Sequence, residues 1–136
     1  MRISEFERKT ILLVEDEMIV SLAQKYDLER EGYRVIQAAS GEKALSIVCA
    51  KKEPVDLILM DIDLGKGMDG TQAAQEILKS REIPIVFLSS HADREIIERA
   101  GRITSYGYIV KDADTSVLMA SIRKAFILSQ SHRSLR

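Results

Sequence analysis

Ile11-Leu12-Leu13-Val14, Leu57-Ile58-Leu59-Met60 and Ile85-Val86-Phe87-Leu88 are unbroken apolar runs. Runs of this length are the pattern of strands covered on both faces, as in a parallel sheet. Arg34-Val35-Ile36-Gln37-Ala38 and Gly107-Tyr108-Ile109-Val110 carry weaker versions and are predicted as edge strands. The segments between them have helical spacing. Ile19, Leu22, Ala23 and Tyr26 recur at i, i+3, i+4 and i+7, which predicts one apolar stripe on a helix from about Glu17 to Arg30, ended by Gly32. Ser40 is the expected N-cap of a second helix reaching about Lys51, with Lys43 where a capping box would want an acid. Pro54 turns the chain back towards the sheet, and Pro84 opens the fourth strand. Ala73, Ala74, Ile77 and Leu78 share one side of a helix from Thr71 to Ser80, and Asp93 is positioned to cap a short helix through Ala100. Leu118, Ile122 and Ala125 stripe a last helix from about Thr115, and past Ser129 the periodicity is lost and the end is expected to fray. Five strands alternating with five helices predict an α/β fold: a flavodoxin-like, doubly wound parallel sheet in the order 2-1-3-4-5.

Composition narrows the class. The 136 residues suit one domain, since domains run to ~100–200 residues. A chain of this size buries roughly two-thirds of its unfolded surface and needs no staple. The single cysteine, Cys49, has no partner for an internal disulfide, and with Ile47, Val48 and Ala50 it reads as a small buried helix face. Lys and Arg number 20 against 21 Asp and Glu, a net charge of −1, which argues against direct binding of nucleic acid. No apolar run exceeds four residues, and Met1-Arg2-Ile3-Ser4-Glu5 lacks the apolar stretch of a signal peptide. A cytoplasmic protein without a membrane partner is therefore expected.

The residues just beyond the apolar runs carry the chemistry. Strand 1 runs into Glu15-Asp16-Glu17, strand 3 into Asp61, strand 4 into Ser89-Ser90 and strand 5 into Lys111. In an open parallel sheet these carboxyl ends face one crevice, so Glu15, Asp16, Asp61, Ser89 and Lys111 are expected to converge. Three carboxylates about 4 Å apart repel by ~4 kcal/mol per pair at an effective dielectric near 20. Lys111 supplies one compensating charge, and a hard divalent cation such as Mg²⁺, with Mn²⁺ as a substitute, supplies the rest. A carboxylate, a cation, a hydroxyl and an ammonium together form a receptacle for a phosphoryl group, with Asp61 as the carboxylate able to accept it. This reading requires Asp61 to face Asp16 and to be reachable from solvent.

These segments, in this order, resemble a response-regulator receiver domain of two-component phosphorelays. Ile11 to Glu17 resembles its first strand and acidic pair, and Leu57 to Asp61 its phosphoacceptor strand. Met68-Asp69-Gly70 resembles its turn into the third helix, Phe87 to Ser90 its hydroxyl-bearing segment, and Gly107 to Lys111 its fifth strand. The resemblance spans residues 9–130, leaving 1–8 as an N-terminal extension and 131–136 as a tail. It implies phosphorylation of Asp61 by a histidine kinase or a histidine phosphotransfer domain. It further implies that Asp16, Asp61 and the main-chain carbonyl of Asp63 bind Mg²⁺, with Glu15 acting through water, while Ser89 and Lys111 grip the phosphoryl group. Ser89 and Tyr108 would be the switch residues, altering a face built from the fourth helix, the fifth strand and the fifth helix, through which a homodimer is open to the chain. Asp63 and His91 hold the positions that influence phosphoryl lifetime. The chain would be a phosphoacceptor that catalyses its own phosphorylation and dephosphorylation, and not a turnover enzyme.

Two departures from the family pattern carry expectations. Asp112 replaces the usual proline after Lys111, so the Lys111-Asp112 peptide is expected to be trans, because a non-proline cis bond costs ~3–4 kcal/mol. Leu64-Gly65-Lys66-Gly67 lacks another usual proline and looks one residue longer, so a more mobile loop is expected. Two rival functions remain. Asp61-Ile62-Asp63 resembles the DxD of haloacid-dehalogenase-type phosphatases, although it sits on the third strand and Gly65 stands where Thr or Val is preferred. The other rival is a receiver-like interaction module that works without phosphorylation. Neither G-x-x-x-x-G-K-[ST] nor G-x-G-x-x-G occurs, which removes a nucleotide enzyme.

Overall fold

A computed structural model describes residues 8–65, 67–90, 94–104 and 106–134. Strands β1 (Thr10–Val14), β2 (Arg34–Ala38), β3 (Leu57–Asp61), β4 (Ile85–Ser89) and β5 (Tyr108–Val110) alternate with helices α1 (Met18–Arg30), α2 (Gly41–Ala50), α3 (Gly70–Ser80), α4 (Arg94–Ile103) and α5 (Thr115–Ser134). The strands form one parallel sheet in the order β2-β1-β3-β4-β5, as the alternation of segments implies. β1, β3 and β4 are buried along their whole length, whereas β2 and β5 lie at the edges.

The two-residue period of a strand divides the core between the faces. Leu12, Val14, Ile58, Met60, Ile85 and Phe87 point to one side, where Ala44 and Val48 of α2, Ala73, Ala74 and Ile77 of α3 and Ala100 of α4 cover them. Ile11, Leu13, Leu57, Leu59, Val86 and Leu88 point to the other, under Leu28 of α1 and Leu118, Met119, Ile122 and Ala125 of α5. Helices on both faces leave the carboxyl ends of the strands as a shared open edge.

Local signals set several boundaries. Gly32 sits at φ 100° just past α1, where its N–H reaches the Glu29 carbonyl at 3.0 Å and ends the helix. Ser40 Oγ accepts from Lys43 N at 3.0 Å to start α2. Asp69 and Gln72 close a reciprocal capping box on α3. Gly70 is required there because a methyl group would run into the Asp61 carbonyl, and its N–H instead reaches the Ile62 carbonyl at 3.1 Å.

Three expectations are corrected. The stripe of Ile19, Leu22, Ala23 and Tyr26 on α1 is exposed, Ile19 at 84%, while Ser21 and Leu28 are buried. The helix is rotated so that Ser21 meets β2, accepting from Gln37 Nε2 at 2.8 Å, which turns the apolar arc outward. Cys49 and Ala50 are exposed and only Val48 of that run is fully buried, since four consecutive residues spread around a whole helical turn and cannot all face the core. Finally, α5 continues to Ser134 beyond the loss of periodicity, with His132 Nδ1 2.9 Å from the Tyr106 hydroxyl, and α4 extends past Ala100 to Ile103. Asp93 lies outside the described residues.

Candidate functional site

β1 and β3 are neighbours in register, with Val14 beside Met60, so the residues that follow each strand emerge side by side. Oxygen atoms of Glu15, Asp16 and Asp61 all lie within 4.8 Å of one another. Glu15 and Asp61 are fully buried there, and Asp16 is exposed. β5 supplies the counter-charge: Lys111 Nζ is 2.9 Å from Asp61 Oδ2 and 2.8 Å from Glu15 Oε1. Its backbone is anchored by donation from Lys111 N to the Ser89 carbonyl at 2.8 Å. No cis peptide bond occurs among the described residues, and with Lys111-Asp112 trans the ammonium still reaches the acidic pair.

One ammonium faces three carboxylates. Burial pushes the Glu15 carboxyl up to about 7, with the nearby Lys111 ammonium and the Glu17 N–H, 3.1 Å from Oε2, pulling the other way. Lys111 is itself partly desolvated, which lowers it, but its contacts with Glu15 and Asp61 prevail and hold it protonated above the ordinary lysine range. Glu15 Oε1 is ion-paired with Lys111 Nζ at 2.8 Å, and a carboxylate oxygen so placed still has a lone pair to offer. An all-oxygen acidic cluster with a surplus of negative charge and such an oxygen fits a hard divalent cation.

Of the remaining candidates, Asp63 and Ser89 adjoin this cluster. Ser89 is fully buried at the end of β4, and its hydroxyl donates to Asp63 Oδ2 at 3.1 Å. Ser90 donates to the same oxygen through both its N–H and its hydroxyl, each at 3.1 Å. The Asp63 N–H donates to Asp61 Oδ1 at 2.9 Å. Tyr108 is half-buried on β5 and lines a groove of about 210 Å³ with Ile97, Ala100, Gly101, Thr104 and Gly107. His91 lies outside the described residues.

The access expected at Asp61 is not found, because the residue has no exposed surface. Its Oδ2 accepts from Lys111 Nζ and its Oδ1 from Asp63 N, each at 2.9 Å. Described residues on either side of Lys66, which lies outside the described residues, are hydrogen-bonded. Gly65 N donates to Asp16 Oδ2 at 2.9 Å and Met68 N to Glu42 Oε2 at 3.1 Å, the latter drawing the Glu42 carboxyl below its usual range. Sequence reasoning missed Glu42 and also Arg99, which reaches from α4 to Asp69 Oδ2 at 3.1 Å and to Thr71 Oγ1. Neither position carries a local sequence signal, since both partners are distant along the chain.

A sequence model of the response regulator receiver domain matches residues 11–123, and the chain belongs to that family. Transcriptional regulatory protein PdtaR of Mycobacterium tuberculosis is 32% identical over 118 residues, which cover 86% of this chain and 56% of that protein. Transcriptional regulatory protein YvrH of Bacillus subtilis is 36% identical over 118 residues, covering 86% and 48%. The chain thus spans about half the length of these curated relatives. Among solved structures, the N-terminal domain of a response regulator/sensory box/GGDEF three-domain protein from Carboxydothermus hydrogenoformans is 40% identical, with TM-score 0.84 and coverage of 91% of this chain and 98% of that one. A CheY-like receiver domain protein from Methanospirillum hungatei is 26% identical, with TM-score 0.83 and coverage of 92% and 98%.

Proposed function

We propose that the chain accepts a phosphoryl group on Asp61 from a phosphohistidine of a histidine kinase or phosphotransfer protein, and works as a signalling switch that is not a turnover enzyme. The observation that carries this reading is the meeting of Glu15, Asp16 and Asp61 within 4.8 Å, with the Lys111 ammonium 2.9 Å from Asp61. An Asp61 oxygen attacks phosphorus while the bond from phosphorus to the donor's imidazole nitrogen breaks, leaving its electron pair on that nitrogen. Lys111, already bound to Asp61, offsets the charge that builds on the transferred oxygens, and the Ser89 hydroxyl is the nearby donor for one of them. Mg²⁺, held by Asp16, Asp61 and the Asp63 carbonyl with Glu15 through water, would supply the remaining positive charge. Because Asp61 is buried, a donor reaches it only after the contacts over its carboxylate open. The switch is then read through Tyr108 and the face of α4, β5 and α5, by a further domain, another protein or a second copy of the chain.

Incubation with Mg²⁺ and acetyl phosphate, followed by weighing the intact protein, tests this reading. A gain of one phosphate per chain is expected, sensitive to hydroxylamine and absent from Asp61→Asn. An unchanged wild-type mass would instead favour the receiver-like module that acts without phosphorylation, a reading that the burial of Asp61 keeps in play. A label that persists in Asp61→Asn would move the acceptor elsewhere.

A further inference from the structure

Asp63 joins the two segments that flank the buried acceptor. Its main chain donates to Asp61, and its carboxylate accepts from Ser89 Oγ, Ser90 N and Ser90 Oγ. A hydroxyl has one hydrogen to donate. While Ser89 gives that hydrogen to Asp63, it has none for a group on Asp61. We propose that Asp63 is a positioning residue that withholds the Ser89 hydroxyl in the unphosphorylated chain, so that a phosphoryl group competes with the Asp63 carboxylate for the same hydrogen. This rests on the acceptor role proposed above for Asp61.

The competition has two settled outcomes. Before transfer, a charged acceptor holds both serines, and hydrogen bonds to charged groups are the stronger kind. After transfer, the phosphoryl oxygens bring more negative charge than one carboxylate, take the Ser89 hydrogen and repel Asp63, so the serines lose their former partner. The end of β4 is therefore set by which anion holds Ser89.

Beryllofluoride, which occupies the phosphoryl position on a carboxylate, is titrated with Mg²⁺ into the full chain and into Asp63→Ala, Ser89→Ala and the double variant. Asp63→Ala is expected to bind about tenfold more tightly than wild type, the size of one released hydrogen bond to a charged group. In the Ser89→Ala background the same change is expected to give about twofold or less, because the contested hydrogen is gone. Removing a negative charge alone would give equal gains in both backgrounds, and equal gains overturn the inference while leaving the acceptor role intact. A wild-type chain that binds no beryllofluoride and takes no phosphate overturns the acceptor role and the inference together. A second measurement does not depend on ligand or on Ser89→Ala folding. In the metal-free chain the Ser90 amide proton is expected to shift upfield in Asp63→Ala, and to a smaller extent in the isosteric Asp63→Asn; an unmoved resonance overturns the latch.

Discussion

Glu15 carries the largest unresolved conflict of any single residue in the pocket. Its side chain is fully buried between Asp61 and Lys111, and burial raises its carboxyl from an ordinary 4.5 to about 7. The folded chain therefore keeps a proton that the unfolded chain gives up between about pH 4.5 and 7. Stability must fall as pH rises through that window and level off above it. Lys111 stays protonated throughout the same range and adds no slope. Glu15→Gln is neutral at both ends, so in metal-free buffer it should match wild type near pH 5 and exceed it by on the order of 2 kcal/mol at pH 8. Urea melts of the two proteins across this range check the prediction, and parallel profiles would show that Glu15 titrates normally in the fold.

Helix α1 is the element with the most to explain. Met18, Ile19, Leu22 and Tyr26 are all more than half exposed, although together they form a contiguous apolar arc. Single exposed hydrophobes are ordinary, but a clustered patch on a small domain marks a contact surface. Met18 and Leu22 also line a groove of about 280 Å³ together with Glu15 and Asp16, so the arc runs up to the acidic cluster. On the acceptor role proposed for Asp61, a protein donor would have this arc to rest on, whereas acetyl phosphate would have no use for it. Ile19→Glu should leave stability within about 0.5 kcal/mol, because the site is solvent-exposed. Transfer from a phosphohistidine-bearing protein should slow by roughly tenfold, the cost of losing one apolar anchor. Labelling by acetyl phosphate should be unchanged, and equal effects on both donors would remove α1 from partner recognition.

The molecule as a whole links the acidic edge of the sheet to a distant groove through β4 and β5. Ser89 pairs with Val110, Phe87 with Tyr108, and Lys111 N bonds to the Ser89 carbonyl. On the role proposed for Asp61, a phosphoryl group held by Lys111 and Ser89 would act on both strands of this ladder at once. Tyr108 lies three residues before Lys111 and lines the groove against α4, where Arg99 ties the helix back to the N-cap of α3. Labelling Asp61 should therefore move the backbone amide resonances of Tyr108, Ile109 and Gly101, and Asp61→Asn treated identically should show none of this. Changes confined to the acidic pocket would mean that the ladder does not transmit the event. No helix among the described residues is long and apolar enough to cross a membrane.

Strand positions, sheet order and the grouping of Glu15, Asp16, Asp61, Ser89 and Lys111 followed from apolar runs and from the residue just past each run, because strand burial and the parallel topology dictate where those residues emerge. The capping box that starts α3 at Asp69 and Gln72 is made by neighbours in sequence, yet it went unread, and the helix was expected from Thr71. Tertiary structure alone decided the rest. The rotation of α1 depends on a hydrogen bond to Gln37 across the sheet, the closing of Asp61 depends on Lys111 fifty residues away, and the engagement of Asp63 depends on the end of β4. Each is a choice among partners that only the packed chain brings within reach, and residue order carries no record of distances that short-range propensities do not control.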